Sequence, residues 1–153
     1  MNFSDLIQRI SFDTFSEIIS VAPRKVRESL YSHYGVKSKS RSILTSLKDK
    51  KDQKIRQLHT ILQGANNPKE QEFIKELFRN WLFHKRDLLK ETLDFLGVEN
   101  DNGLVECEVD FFKELSKQKV SDLIKHLKPK FPSDDILVYL TFMEVPHLNA
   151  VDL

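Results

Sequence analysis

Only four Gly and five Pro interrupt 153 residues, and between them apolar side chains return mostly at every third and fourth position. That spacing places them along one face of an α-helix, so the chain reads as all-α. The clearest segment opens at Asn67-Pro68-Lys69-Glu70. Asn is a good N-cap, Pro is tolerated at the first helical position, and Glu three residues after the cap can complete a capping box. From there Phe73, Ile74, Leu77, Phe78, Trp81, Leu82, Leu88, Leu89, Leu93 and Leu96 form a broad apolar stripe that runs to Gly97, a suitable stop. The spacing predicts a long central helix over 67–96. Unbroken it would span about 45 Å, and a bend is expected at 84–87, where the stripe is interrupted.

The rest of the chain predicts a single helical bundle of about six or seven helices. Three short helices are expected at 4–10, 14–21 and 23–34, then a polar hinge at 35–42. Ile43, Leu44 and Leu47 resume an apolar face, but residues 48–54 supply none before Ile55, Leu58, Ile61 and Leu62. This helix either crosses solvent there or breaks. Further on, Asn100-Asp101-Asn102-Gly103 predicts a turn, and helices are expected at 111–127 and 133–144, the latter capped by Ser133 with Asp134 and Asp135 in its first turn. Val105, Cys107 and Val109 alternate with acidic residues and allow one short strand.

Charge divides the chain more sharply than composition does. Residues 1–64 carry 12 Lys and Arg against 6 Asp and Glu, and residues 65–153 carry 12 against 17, so a net charge of +1 hides a basic half and an acidic half. We therefore expect a basic N-terminal helical part (1–64) and an acidic C-terminal helical part (65–153), packed as one domain. Such asymmetry points to an anionic partner or to surfaces that neutralise each other within or between chains. The longest apolar run, residues 136–143 interrupted by Thr141, is far short of the roughly 20 residues that cross a bilayer. The first residues lack the pattern of a secretory signal, and Cys107, the single cysteine, has no thiol partner. A cytoplasmic protein is the expectation.

Within the basic part, residues 14–30 combine apolar Phe15, Ile19, Val21 and Val26 with small Ser16 and Ser20. This window resembles the helix-turn-helix of bacterial repressors. The resemblance covers about 17 of 153 residues and implies a second helix entering the major groove, with Arg24, Lys25 and Arg27 facing nucleic acid. Residues 24–56 hold 11 Lys and Arg against Glu28, Asp49 and Asp52. Inside this stretch Lys37, Lys39 and Arg41 alternate with serines, a pattern suited to phosphate oxygens, and Tyr31 and Tyr34 offer surfaces for stacking single-strand bases.

Catalytic signatures are missing from the sequence. The five His have no close metal-ligand spacing, no Gly-rich phosphate loop occurs, and an EF-hand aligned on Gly103 would place Val98 and Val109 at two ligand positions. No catalytic residue, metal or cofactor is expected. Phe83 and Phe95, off the main stripe, are the candidates for contact with a partner. The expected function is a non-enzymatic helical binding module acting through protein–protein contact or self-association. The alternative is a DNA-binding regulator using the helix pair at 14–30.

Overall fold

A computed structural model describes residues 2–38, 47–106 and 110–150. Among them are eight α-helices: α1 Phe3–Arg9, α2 Phe12–Val21, α3 Arg24–His33, α4 Leu47–Leu62, α5 Pro68–Leu82, α6 Arg86–Leu96, α7 Lys117–Leu127 and α8 Ser133–Phe142. Two 3-10 turns, Asp110–Glu114 and Leu148–Ala150, complete the described elements. The fold is all-α, with more helices than the six or seven expected, because the 67–96 segment forms two. Compactness divides the chain into Asn2–Leu77 and Phe78–Leu153. That division falls inside α5, whereas the sign of the charge changes near residue 64.

In the first unit, α1 starts where the Asn2 side chain accepts from the Asp5 N–H (2.8 Å), and α2 where Ser11 accepts from the Thr14 N–H (3.2 Å). Each cap satisfies an amide that a helix start leaves without an internal partner. Both helices pack on α4, and Leu6, Ile7, Phe15, Ile18, Ile19, Ile55, Leu58 and Leu62 are buried. At about 1.5–3 kcal/mol for each such side chain, this core is the main stabilising term of the unit. The stretch 48–54 is helical throughout and carries no buried residue, so the apolar anchors of α4 among the described residues are Ile55, Leu58 and Leu62 in its second half. Ser4 on α1 donates to the Ala65 carbonyl, and Gln71 on α5 donates to the same carbonyl (2.7 Å) while accepting from the Phe3 N–H (2.9 Å). These polar contacts fix the start of α5 on α1. The capping box is present as well: Asn67 accepts from the Glu70 N–H (2.9 Å), and Glu70 accepts from the Asn67 N–H (3.3 Å).

Helix α3 ends on Gly35 (φ +62°), with the Val36 N–H returning to Tyr31 O (2.8 Å). The following residues, as far as 38, run beside α4, where Gln57 donates to Lys37 O (2.7 Å). Ile43, Leu44 and half of the polar hinge, residues 39–42, lie outside the described residues.

In the second unit the break between α5 and α6 falls at 83–85, one residue ahead of the expected bend. The His84 and Lys85 amides make tight bonds to Trp81 O and Leu82 O, both 2.9 Å. Helix α6 packs on α7 and stops at Gly97 (φ +72°), where Val98 N–H bonds to Leu93 O and Gly97 N–H to Asp94 O. Paired closing bonds around a left-handed residue define a Schellman stop. The 100–103 turn is a tight hairpin in which Asp101 and Leu104 exchange backbone bonds (2.8 and 3.0 Å), with Asn102 at φ +48° and Gly103 at +83°.

Two sequence expectations need correction here. The 111–127 helix is a 3-10 turn followed by α7, because Ser116 turns extended and accepts from the Lys119 N–H, starting a new helix. Ser133 does not cap α8: Pro132 occupies the cap without a side-chain bond, and Ser133 is the first helical residue. Asp134 and Asp135 do lie in the first turn, and residues 135–141 are buried all round. Of the proposed strand, Cys107 and Val109 lie outside the described residues.

Candidate functional site

Helices α2 and α3 follow one another through the short joint Ala22-Pro23. Pro23 has φ −53° and needs no amide at a helix start, so the sequence puts a sharp corner there. Arg27 lies one turn into α3 and turns back: its Nη1 donates to Ser20 O (2.7 Å) and Ala22 O (3.1 Å). The guanidinium thereby satisfies carbonyls at the C-terminal end of α2, where a cation is also favoured by the helix dipole.

Arg24 and Arg27, three residues apart, share a face of α3 with Tyr31, and that face meets Leu47, Lys50, Lys51 and Lys54 of α4 across an open concavity of about 340 Å³. Among the described residues Glu28 is the single carboxylate on its wall, and it pairs with Arg24 at 2.7 Å on the solvent side. This hydrogen bond to Glu28 raises the pKa of the Arg24 guanidinium above its ordinary value. The Lys54 ammonium lies 5.4 Å from the centre of the Tyr31 ring, a cation–π contact. Partial burial, opposed by the nearby Arg27 charge, pushes the Tyr31 phenol upward, so it stays a neutral hydroxyl.

Lys25 takes no part in this cleft. It lines a separate groove with Val26, Ser29, Leu30, His33, Phe73 and Glu76. The structure therefore brings Arg24 and Arg27 together and sets Lys25 on the next face of the helix. Lys37 is exposed, with its carbonyl held by Gln57; Lys39 and Arg41 lie outside the described residues. The sequence reading missed Lys50, Lys51 and Lys54 as companions of α3. Their spacing, at i, i+1 and i+4 on an α4 half with no buried residue, was the available signal.

The two aromatic candidates part company in the second unit. Phe95 stacks on His126 (4.7 Å between centroids), whose Nε2 is 2.6 Å from Glu91 Oε1, and Lys130 donates to the same oxygen. The bonds from Lys130 and His126 hold the Glu91 carboxyl below its usual range. Phe95 is still 37% exposed; Phe83 is 51% exposed and lines an apolar notch of about 190 Å³. Its walls are Leu82, Leu89, Leu93, Phe112, Tyr139 and Phe142, with Leu104, 45% exposed, at the hairpin. Burial raises the pKa of Tyr139 and keeps it neutral.

Among the described residues no three His, Cys, Asp or Glu side chains gather as metal ligands, and no helix is long and apolar enough to cross a membrane. Comparison with family models, with curated proteins and with solved structures finds no match to this chain.

Proposed function

We propose that this protein is a non-enzymatic binding module that acts through protein contact, with the apolar notch at Phe83 as its anchor point. The observation that carries the reading is the pairing of that notch with two large exposed apolar side chains, Phe83 and Leu104. A recess of about 190 Å³ accepts one large apolar side chain, and pockets of this kind, ringed by apolar neighbours that exclude water, are where binding energy concentrates at protein interfaces. Exposed aromatic surface beside such a recess is stabilised by being covered.

A second copy of the chain is the first partner to test, by sedimentation velocity over a wide concentration range. Self-association that disappears in Phe83→Asp, with the helical circular-dichroism spectrum unchanged, supports the reading. A monomer at every concentration directs the test to peptide-library selection, counter-selected on Phe83→Asp. If that selection also enriches no Phe83-dependent sequence, the reading is wrong.

A further inference from the structure

The cleft between α3 and α4 is a second site, separate in chemistry from the apolar notch. We infer that it binds the phosphodiester backbone of a single-stranded nucleic acid, with Lys50, Lys51 and Lys54 of α4 facing the phosphates opposite Arg24 and Arg27 of α3.

Three observations carry this. First, five cations and one carboxylate line one concavity, and the carboxylate is already paired with Arg24. Lysines spread round a solvated helix lower their mutual repulsion by pointing apart; here those of α4 share a recess with the arginines of α3, an arrangement that an anion stabilises. Second, the cations belong to two helices and face a common volume of about 340 Å³, which a thin, flexible strand can enter. A duplex is too rigid to fold into it and would touch only the rim. Third, Tyr31 stands in the wall with Lys54 over its ring, so the site sets an aromatic side chain among its charges, and a base that stacks there would take the place of the Lys54 ammonium as that ammonium turns to a phosphate. A cationic groove with an aromatic side chain is the usual make-up of sequence-tolerant single-strand binding. The chemistry differs from major-groove reading by a helix pair: Arg27 is turned back onto α2 and Lys25 lies outside the cleft.

The test is fluorescence anisotropy of the whole protein with a labelled single strand of about 12 nucleotides and with the matching duplex. With Arg24 held by Glu28 and about four phosphates neutralised by the other cations, affinity for the single strand should fall roughly 50-fold between about 50 and 200 mM salt. Lys50→Gln, Lys51→Gln and Lys54→Gln together should reduce that fall to about 3-fold, because about one contact remains. A control that removes the same charge elsewhere in the unit, Lys48→Gln with Lys69→Gln and Lys75→Gln, should bind almost as the parent does. Circular dichroism establishes that both triple variants are folded, and the substituted side chains lie outside the core. Any of four results overturns the inference: no binding at the lower salt, equal weakening by the two triple variants, tighter binding of the duplex, or displacement of the strand by polyglutamate at matched charge. The last would identify an acidic protein segment as the true ligand class.

Discussion

Gly103 is the position at which a single methyl group should do most harm for its size. A Cβ there would lie 2.8 Å from Leu89 Cβ, 2.9 Å from Lys90 N and 3.0 Å from Arg86 O, and the residue has φ +83°. None of those atoms is the far end of a side chain, so no rotamer change relieves the overlap, and the hairpin must back away from α6. Gly97 supplies the internal control, since it has φ +72° with nothing within 4 Å of the same added atom. The left-handed conformation costs an L-residue about 1–2 kcal/mol, offset by about 0.4–1 kcal/mol from the stiffer unfolded chain. Gly97→Ala should therefore destabilise by about 1 kcal/mol. Gly103→Ala carries the same cost plus about 1–3 kcal/mol of overpacking, for a total of about 2–4 kcal/mol. Urea unfolding followed by the fluorescence of Trp81, the single tryptophan and fully buried in the same unit, measures both. Equal losses, within about 0.5 kcal/mol, would refute the close-approach argument and leave only backbone conformation.

Lys85 and Asp135 pair at 3.0 Å with the carboxylate almost fully buried, and the ammonium lies 4.6 Å from the Trp81 ring centre. Lys85→Met should cost about 3 kcal/mol by removing the ion-pair partner of a buried carboxylate, and adding Asp135→Leu should recover part of it, a coupling that a double-mutant cycle in urea reads directly. Glu144 closes α8 at φ +57°, with the Val145 N–H returning to Leu140 O, so Glu144→Gly should raise stability by about 0.5–1 kcal/mol despite losing an exposed pair with Lys113; a fall in the urea midpoint would contradict this. His59 sits between the rings of Phe12 and Phe15, and burial is the leading cause of its lowered pKa. The unfolded chain then takes up the proton first, so stability should decline as pH falls from about 7 through the ordinary His value and level off below the depressed one. His59→Phe should flatten that part of the profile, and an unchanged decline in the variant would assign it to other groups.

What could be read from the sequence was local. The capping box at Asn67 and the stop at Gly97 depend on residues within one turn of each other, and both appear with the expected bonds. The interruption of the apolar stripe near His84 marked the division of α5 from α6 within a residue. Ser116 leaves no mark in the apolar spacing, because Phe111, Phe112 and Leu115 continue it into α7, and periodicity does not register a single extended residue between two helical ones. Phe83 and Phe95 share a place off the stripe, and both are exposed; only tertiary placement shows that Phe83 borders an apolar notch while Phe95 rests one side on His126. The basic cleft lay further out of reach. It needs the register of α3 against α4, whose cations are more than twenty residues apart in the chain, and charge counting gives their number without their direction.

Arg27 turns toward α2 to complete the end of a helix, and in doing so its position is settled before any anion arrives. A free arginine gives up about 0.5–1.5 kcal/mol of rotamer entropy when a ligand immobilises it. Here the fold has already imposed that order, and Lys54, resting over Tyr31, is partly ordered in the same way. The cleft is thus preorganised by contacts that belong to folding rather than to binding. Arg27→Lys, which conserves charge, should weaken α2 and loosen the cleft at once.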